Sequence, residues 1–280
     1  MKLGEIDVRL LSMGPFYLDG GSLFGSLPKP AWERKVKADE RNRVRLAMNA
    51  LLVRAGGKTI LVDAGAGGQT DAKMREIFGL EEIDPLPGLL AREGVRPEEV
   101  DVVINTHLHF DHAGGNTRLE NGRMVPSFPR ARYYVQRAEL ANAMKPSERD
   151  RASYVATAFT PITEAGQWEL LDGDGELFPG ISVVMIPGHN LTIQAVKICG
   201  GGKTVFSFAD LFPTRHHLPP AWIAAVDLYP MTTLETKKKF LPLMVREEWI
   251  AIFGHDPEMP AATFHERDGK IEAQAVELGS

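Results

Sequence analysis

Three of the chain's eight histidines fall within six residues, in the segment His107-Leu108-His109-Phe110-Asp111-His112. Residues 101–106 before it have the Val- and Ile-rich pattern of a buried strand, and residues 113–116 after it are small and flexible. The ends of strands are where α/β folds collect their ligand-binding side chains. A lone histidine is usually a surface or capping residue, but that interpretation does not explain three histidines and an aspartate in six positions. The cluster therefore predicts a metal site.

The spacing within the cluster predicts two adjacent metal ions. On an extended strand end, His107 and His109 are two residues apart, so both point to the same side and can reach one ion. We expect Asp111 to continue that alternation and His112 to face another way as the chain turns. One short loop would then offer two pairs of ligands. Imidazole suits Zn, Fe, Co or Mn, and the carboxylate adds an oxygen ligand.

Three further residues that can bind metals follow predicted strands. His189 lies in a Pro-Gly turn after one strand, Asp210 ends an apolar run, and His255 follows a third apolar run. Each of them alone would more often be structural. Together with the first cluster they predict one constellation at the C-terminal ends of several strands.

The elements that must position these residues are short strands mingled with helices, which predicts an α/β layered fold. Val and Ile content and bounding Gly, Pro or Asp residues predict strands at 6–11, 50–54, 59–62, 100–104, 132–135, 181–186, 195–198, 204–209 and 250–253. Apolar periodicity predicts helices at 70–78, 85–93, 136–143 and 234–246. Residues 49–63 have the pattern of a hairpin. Thr232 and Glu235 have the spacing of a capping box for the last helix.

Two long segments, 14–44 and 212–231, carry aromatic residues among glycines and prolines and fit neither period. Long irregular loops in a compact domain are usually functional, so we expect both to border the active site. In the second loop His216 and His217 could reach the substrate pocket, but exposure on the loop is favoured over a substrate contact for both. Tyr17 and Tyr229 could offer a hydroxyl to a substrate, but core packing is favoured for both. An apolar substrate wall and core packing are equally open for Phe16, Phe24, Trp32, Trp222 and Ile223.

The composition limits the partners of the chain. Its 280 residues, 44% hydrophobic and 25% charged, are typical of a globular protein. The net charge of −5 argues against nucleic acid, and we expect the basic run 237–239 to be a solvated helix face. The sequence contains no run of ~18 apolar residues, so no membrane span is predicted. One cysteine and no apolar leader predict a cytoplasmic protein. A small-molecule substrate is expected, and the aromatics of 14–44 are compatible with a homodimer.

The pattern His-x-His-x-Asp-His, followed by His, Asp and His after later strands, resembles the metallo-β-lactamase superfamily. The resemblance spans residues 6–264, and the segment 59–65 matches a further family motif, in which Asp63 would support the histidine loop. The resemblance implies a four-layer αββα sandwich, with two mixed β-sheets flanked by helices, and a single domain over residues 1–280.

The same resemblance implies a dinuclear centre of divalent ions, with Zn expected and Mn, Fe or Co as alternatives. It assigns His107, His109 and His189 to the first ion, Asp111, His112 and His255 to the second, and Asp210 as the bridge between them. A hydroxide between the ions would be the nucleophile, because metal binding lowers the pKa of water to about 7. Asp111 and Asp210 would be the catalytic carboxylates.

Within the family, the chain resembles the quorum-quenching N-acyl-homoserine lactonases and the related organophosphate hydrolases. The resemblance rests on the segment 20–25 before Pro28-Lys29-Pro30 and on the long loop after Asp210. The chain has Pro213 where some lactonases use a tyrosine, and Ala209 where glycine is commoner.

Three hypotheses on function follow. The leading one is hydrolysis of a small ester-like substrate, with lactones favoured. The second is phosphotriesterase or phosphodiesterase activity at the same two metals, because they suit in-line attack at phosphorus. The third is an iron-dependent redox protein or a non-catalytic metal-binding module.

Overall fold

In the computed structural model, which describes residues 1–68, 70–80, 86–267 and 269–278, two seven-stranded sheets are flanked by helices. Both sheets are mixed, and each joins an antiparallel part to a parallel part. The predicted α/β sandwich of two mixed sheets with outer helices is therefore confirmed.

The first sheet contains the N-terminal half of the chain. Its strands are β1 (Lys2–Leu3), β2 (Ile6–Asp19), β3 (Arg43–Ala55), β4 (Lys58–Val62), β5 (Val102–Ile104), β8 (Arg132–Gln136) and β9 (Trp168–Leu171), with a separate ribbon of β6 (Thr117–Glu120) and β7 (Arg123–Pro126). Strands β1 to β4 are antiparallel, and β5, β8 and β9 continue parallel to β4. The predicted hairpin joins β3 to β4 through Gly56 and Gly57, whose φ angles of 54° and 74° suit a tight two-residue turn.

The second sheet contains the C-terminal half. Its strands are β10 (Gly175–Phe178), β11 (Ile181–Met185), β12 (Gln194–Gly200), β13 (Lys203–Ser207), β14 (Ile250–Ile252), β15 (Ala261–Arg267) and β16 (Lys270–Ala275). Among the described residues of this sheet, only β13 and β14 pair in parallel, because a long helix crosses over between them.

The helices are mostly short. They are α1 (Gly20–Phe24), α2 (Lys29–Trp32), α3 (Ala72–Phe78), α4 (Leu86–Arg92), α5 (Phe110–Ala113), α6 (Arg137–Met144), α7 (Thr160–Glu164) and α8 (Pro230–Arg246). Helix α8 begins at Pro230, a residue suited to the first helical position because its missing N–H would have no partner there. Its buried residues Phe240 and Met244 pack with Phe206 of β13 and with Trp249, which lies just before β14. No helix within the described ranges is long and apolar enough to cross a lipid bilayer.

The alternation of side chains along each strand builds the layers. In β4, Ile60 and Val62 belong to the cluster between the two sheets, whereas Leu61 belongs to the cluster beneath the outer helices. Val205 of β13 likewise joins the cluster between the sheets, and Phe206 faces α8. The sheets therefore share one apolar interior, and the strand ends that carry the histidines emerge from a rigid frame.

All nine predicted strands are present, but β2 continues well beyond its predicted end at residue 11 and β3 begins well before its predicted start at residue 50. Helices occur at the four predicted places. Of the predicted helix 85–93, the first residue lies outside the described residues. The prediction that 14–44 is irregular is wrong at both ends, because β2 continues to Asp19 and β3 begins at Arg43. The capping box of Thr232 and Glu235 is also wrong, because α8 already begins two residues before Thr232. The segment 212–229 is irregular apart from a short 3₁₀ turn, as predicted.

The basic run on α8 is solvated only in part. Lys238 and Lys239 are exposed, but the side chain of Lys237 is fully buried. Its Nζ donates hydrogen bonds to the carbonyl oxygens of Trp222 at 2.7 Å and Pro219 at 3.1 Å. The prediction of a solvated face is therefore wrong for Lys237, which the loop before α8 covers.

Candidate metal centre

The seven predicted ligands converge where strands of both sheets end. The first sheet supplies four of them, from the turn and short helix that follow β5, and the second sheet supplies three, from the turns after β11, β13 and β14. The structure brings all of them together in three overlapping groups whose ligand atoms lie within 4.8 Å of one another: His107, His109 and His189; His107, His112 and Asp210; and Asp111, His112 and His255.

The histidine segment turns into helix α5 earlier than its alternation predicts. His109 is the last extended residue, and Asp111 and His112 lie in the first turn of α5. The prediction that Asp111 continues the strand alternation is therefore wrong. Gly114 and Gly115 allow the residues after α5 to lie against residues 64–66, because a Cβ atom there would lie 2.1 Å from the carbonyl oxygen of Ala66 and 2.2 Å from that of Ala64.

Asp210 lies between two sets of histidines. Its Oδ2 is 3.8 Å from Nε2 of His107 and 3.4 Å from Nε2 of His189. Its Oδ1 is 3.2 Å from Nε2 of His112 and 3.0 Å from Nε2 of His255. Each carboxylate oxygen therefore faces a different pair of imidazoles, which is the arrangement that a ligand bridging two ions needs.

The donor atoms fit two divalent ions. Nε2 of His107 is a buried ring nitrogen without a hydrogen-bond partner. Ring nitrogens also face each other at 3.0 Å, between His112 and His255 and between His189 and His109. Metal ions would satisfy such converging nitrogens, and a set of imidazole and carboxylate donors suits Zn, Mn, Fe or Co.

Asp63 orients the second set of histidines, as predicted. Its Oδ2 lies 2.9 Å from Nδ1 of His112, and its two oxygens accept hydrogen bonds from the backbone N–H and the hydroxyl of Thr106, each at 2.8 Å. The carboxylate therefore fixes both the ring of His112 and the backbone just before His107. Such outer contacts set the tautomer and direction of a metal-binding histidine.

Asp227 does the same for His189, and sequence reasoning missed it. Its Oδ1 lies 3.0 Å from Nδ1 of His189, and its Oδ2 accepts a hydrogen bond from the Thr233 hydroxyl at 2.8 Å. The turn before His189 can approach α8 because residue 188 is glycine: a Cβ there would lie 2.4 Å from Oγ1 of Thr233. Asp227 lies in an irregular loop, and neither its spacing nor its neighbours in the sequence reveal its role.

Glu139 of α6 joins the two ligand loops and was also missed. Its buried carboxylate accepts hydrogen bonds from the backbone N–H of Leu108 at 2.8 Å, from Nδ2 of Asn190 at 3.1 Å and from the Thr192 hydroxyl. Burial raises the pKa of Glu139 despite these donors. One side chain therefore holds the backbone between His107 and His109 against the loop that carries His189.

The charges of the site favour cations at its centre. Burial alone would raise the pKa of Asp210, but the imidazoles of His255 and His112 hold it well below the usual range. Burial opposes the charged form of His189, yet Asp210 and Asp227 raise the pKa of His189 to about 9. Burial and the neighbouring histidines lower the pKa of His107 well below its usual value. Without metal, a proton on His189 balances part of the charge of Asp210, and metal binding would displace it.

The irregular loop after Asp210 packs more tightly than predicted. His217 is buried, with Nδ1 2.9 Å from the Thr214 hydroxyl oxygen, Nε2 3.0 Å from the carbonyl oxygen of Leu23, and its ring stacked on Phe24. The prediction that His217 is exposed is therefore wrong, because the loop folds against α1. His216 is half-buried.

The aromatic candidates separate into core and surface residues. Phe24 and Trp32 are buried and stack on each other, so they pack in the core. Phe16 is buried, and its ring lies 5.0 Å from that of His255, at the border of the site. Tyr229 is 42% exposed, so the prediction of core packing is wrong for it. Tyr17 is half-buried, with the guanidinium of Arg43 5.3 Å from its ring.

Known proteins resemble this chain in sequence and in fold. An N-acyl homoserine lactonase of Bacillus thuringiensis is 26% identical over 181 residues, which cover 64% of this chain and 65% of that protein. The N-acyl homoserine lactonase AttM of Azorhizobium caulinodans is 26% identical over 179 residues, which cover 59% of this chain and 61% of that protein. The chain thus spans less than two thirds of the length of each of these curated relatives.

Solved structures match over almost the whole chain. A probable metal-dependent hydrolase from Staphylococcus aureus has 29% identity and a TM-score of 0.91, with 99% of both chains covered. A dizinc quorum-quenching lactonase shares the fold at 20% identity, with a TM-score of 0.82 over 99% of this chain and 96% of that one. The family model of the metallo-beta-lactamase superfamily matches residues 44–255, which include all seven candidate ligands. The chain therefore belongs to the metallo-beta-lactamase superfamily.

Proposed function

We propose that this protein is a dinuclear metal-dependent hydrolase that cleaves a small ester-like substrate, with lactones favoured. The observation that carries the proposal is the position of Asp210, whose two oxygens face separate pairs of imidazoles. The N-acyl homoserine lactonases among its relatives support a lactone as the substrate. Zinc is the proposed metal, in keeping with the dizinc lactonase that shares the fold.

The proposed mechanism divides the work among the chain's own carboxylates. Two bound divalent ions would supply Lewis acidity, which polarises the scissile bond and lowers the pKa of water. Asp210 would hold the two ligand sets in register, while Asp63 and Asp227 fix the directions of His112 and His189. The side chain of Asp111 is 12% exposed, and its Oδ2 lies 3.6 Å from Nε2 of His255. It is therefore placed to accept a proton from the attacking water and return it to the leaving oxygen.

Phosphotriesters are the second candidate substrates. Pro213 favours them, because the chain offers no hydroxyl at the position where some lactonases use a tyrosine. The two metal positions themselves suit attack at phosphorus as well as at carbon. The choice between the two therefore depends on how the loops around the site receive the substrate.

An assay of the zinc-loaded protein tests the proposal. We would compare kcat/KM on an acyl-homoserine lactone, an aryl ester and a phosphotriester, and expect the highest value on the lactone. Removal of the metals should abolish turnover, and zinc should restore it. His112→Ala should lower kcat/KM by about a thousandfold, because losing a ligand forfeits several kcal/mol of charge stabilisation.

His265→Ala is the matched control, because His265 is an exposed histidine on β15. It should leave kcat/KM unchanged. Full activity in His112→Ala would overturn the dinuclear mechanism. A phosphotriester that outperforms the lactone would replace the proposed substrate by the second candidate, and no turnover of any of the three would reject hydrolysis of these bonds.

A further inference from the structure

The three histidines of the first ligand group, His107, His109 and His189, are not all held in the same way. Nδ1 of His107 lies 3.1 Å from the hydroxyl oxygen of Thr106, and Nδ1 of His189 lies 3.0 Å from Oδ1 of Asp227. His109 instead turns Nδ1 towards Nε2 of His189, at 3.0 Å, and its own Nε2 is buried without a hydrogen-bond partner among the described residues. The direction of His109 must therefore be set by something other than a hydrogen bond to its second ring nitrogen.

Tyr154 supplies the support that His109 lacks. Its backbone pairs with that of His109 in an isolated β-bridge, and its ring lies edge-on to the imidazole with 4.8 Å between the ring centres. The backbone N–H of Phe110 also donates to the carbonyl oxygen of Ser153 at 2.8 Å. Tyr154 is buried, so its ring cannot leave the imidazole without opening the packing around it. Tyr154 and His109 are therefore positioned as a pair.

One carboxylate oxygen of Glu139 fixes this pair. Oε1 accepts hydrogen bonds from the Tyr154 hydroxyl at 3.1 Å and from the backbone N–H of Leu108 at 2.8 Å. The first bond holds the ring that packs on His109, and the second holds the backbone between His107 and His109. Two of the three ligands therefore depend on a single buried oxygen atom.

The other oxygen of Glu139 holds the loop that carries the third ligand, His189. Oε2 accepts hydrogen bonds from Nδ2 of Asn190 at 3.1 Å and from the Thr192 hydroxyl. Oδ1 of Asn190 in turn accepts the backbone N–H of Thr192 at 2.8 Å, which fixes the orientation of the amide. Glu139 therefore sets the distance between the segment 107–109 and the loop of His189.

The second ligand group has a separate frame, and its members are Asp111, His112 and His255. Nδ1 of His112 lies 2.9 Å from Oδ2 of Asp63, and Nδ1 of His255 lies 2.9 Å from the carbonyl oxygen of Ala47. None of the hydrogen bonds of Glu139 within the described ranges reaches these residues. The two ligand groups are thus oriented by different side chains.

We infer that Glu139 is a positioning residue that sets the affinity of the first ligand group for its metal ion and leaves the second group unaffected. It acts through Tyr154, Leu108 and Asn190 and touches no ion itself. Outer partners of metal ligands change metal affinity by about 10- to 100-fold. The inference rests on the proposed dinuclear centre, but it concerns the order of the ligands before an ion binds rather than the reaction.

Glu139→Gln separates the two links of this side chain. The amide oxygen of glutamine can still accept from Leu108 and Tyr154, as Oε1 does. Its N–H groups would face Nδ2 of Asn190, which is itself a donor. We therefore expect the loop of His189 to lose its register with the segment 107–109. Tyr154→Phe breaks the other link, because it removes the hydroxyl and keeps the buried ring.

Zinc titration of each ligand group alone tests the inference, with dissociation constants from competition with a chromophoric chelator. His255→Ala leaves the first group complete, and His189→Ala leaves the second group complete. In the His255→Ala background, Glu139→Gln should weaken zinc binding about 10- to 100-fold. Tyr154→Phe should weaken it about fivefold, the loss expected for one hydrogen bond. In the His189→Ala background, both changes should leave zinc affinity as it is.

Tyr134→Phe is the matched control, because it removes a phenol hydroxyl from β8, where the ring packs against Phe178 of the second sheet. It should leave zinc affinity unchanged in both backgrounds. If Glu139→Gln does not fold, Tyr154→Phe decides by the same comparison.

Three outcomes would overturn the inference. An equal loss of affinity in the two backgrounds would mean that Glu139 supports the fold as a whole. Unchanged zinc binding after the substitutions in the His255→Ala background would remove its role, and so would the absence of any zinc binding in that background. If zinc binding were absent only in the His189→Ala background, the proposed dinuclear centre would fail while the role of Glu139 at the first group remained.

Discussion

Three histidines of the candidate metal centre use their second ring nitrogen to contact a fixed partner. Nδ1 of His112 faces Asp63, Nδ1 of His189 faces Asp227, and Nδ1 of His255 faces the carbonyl oxygen of Ala47. In each case the other nitrogen, Nε2, points towards Asp210. The ligand directions are therefore set before any ion binds, which reduces the ordering that binding requires.

At this scale we predict that Asp63→Asn weakens metal binding about 10- to 100-fold, the usual effect of losing such an outer partner. The carboxylate of Asp63 accepts from both Thr106 and Nδ1 of His112. The amide of asparagine would instead turn an N–H group towards one of these donors. Zinc affinity can be measured by competition with a chromophoric chelator. Asp101→Asn is the matched control, because within the described ranges the carboxylate of Asp101 accepts only the backbone N–H of Thr59, near the start of β4. Equal affinities in wild type and Asp63→Asn would contradict this role.

The seven candidate ligands were accessible to sequence reasoning for a local reason. Four lie in one six-residue segment, and the other three follow apolar strands that their composition reveals. Asp227 and Glu139 were not accessible, because only the tertiary fold brings them to the ligand loops. The backbone conformation of Ala209 was likewise not accessible from the sequence. Its φ of 44° is the left-handed backbone that favours glycine, which accounts for the glycine commoner at this position.

At the scale of elements, the loop 212–229 is held in place by α8 although it has little regular structure of its own. Thr233 of α8 donates to Asp227, and Lys237 donates to the carbonyl oxygens of Pro219 and Trp222. The ammonium also lies 5.3 Å from the centre of the Phe212 ring. One face of α8 thus fixes both ends of the loop and, through Asp227, the direction of His189.

We predict that Lys237 makes the stability of the protein depend on pH. Burial lowers the pKa of Lys237 to about 7, and Asp227 opposes this only in part. The unfolded chain keeps the proton up to about pH 10. Between these values the unfolded state binds more protons, so the free energy of unfolding rises with pH, by at most about 1.4 kcal/mol per pH unit.

Urea unfolding of wild type and Lys237→Met at pH 7, 8 and 9 measures this effect. The difference in the free energy of unfolding between the two should shift in favour of the wild type as the pH rises. Lys239→Met, on the exposed face of the same helix, should show no such trend. A pH-independent difference for Lys237→Met would mean that the buried amine keeps its proton throughout. In either protonation state it has enough N–H groups for both carbonyls.

Sequence patterns predicted the central elements and failed where glycine, proline or lysine residues obscure the pattern. Central strands such as β4 and β13 are runs of Val, Ile and Phe, so their composition reveals them. The outer part of β2 contains Gly14 and Pro15, and a register shift there absorbs the irregularity while the strand continues to Asp19. Lys237 belongs to a run of three lysines, and only the loop that covers it distinguishes it from its neighbours.

At the scale of the whole molecule, the candidate metal centre joins the two sheets. His107, His109, Asp111 and His112 follow β5 of the first sheet, and His189, Asp210 and His255 follow strands of the second. The rest of the contact between the sheets is mainly apolar. Hydrogen bonds such as that from Nε2 of Gln136 in β8 to Oε1 of Gln194 in β12, at 2.7 Å, add to it. Ions bound at the centre would therefore add directional links between the halves of the sandwich.

We accordingly predict that removing the metals lowers the melting temperature of the protein by about 10 °C. An ion present at a thousand times its dissociation constant stabilises the folded state by about 4 kcal/mol, and each kcal/mol corresponds to roughly 2–4 °C in a chain of this size. Calorimetry with and without a chelator, alongside metal analysis, measures the shift. In Asp210→Ala the same chelator should produce a much smaller shift, because the ligand shared by both ions is lost. An unchanged melting temperature after complete loss of metal would show that the contacts between the sheets hold them together without help from the ions.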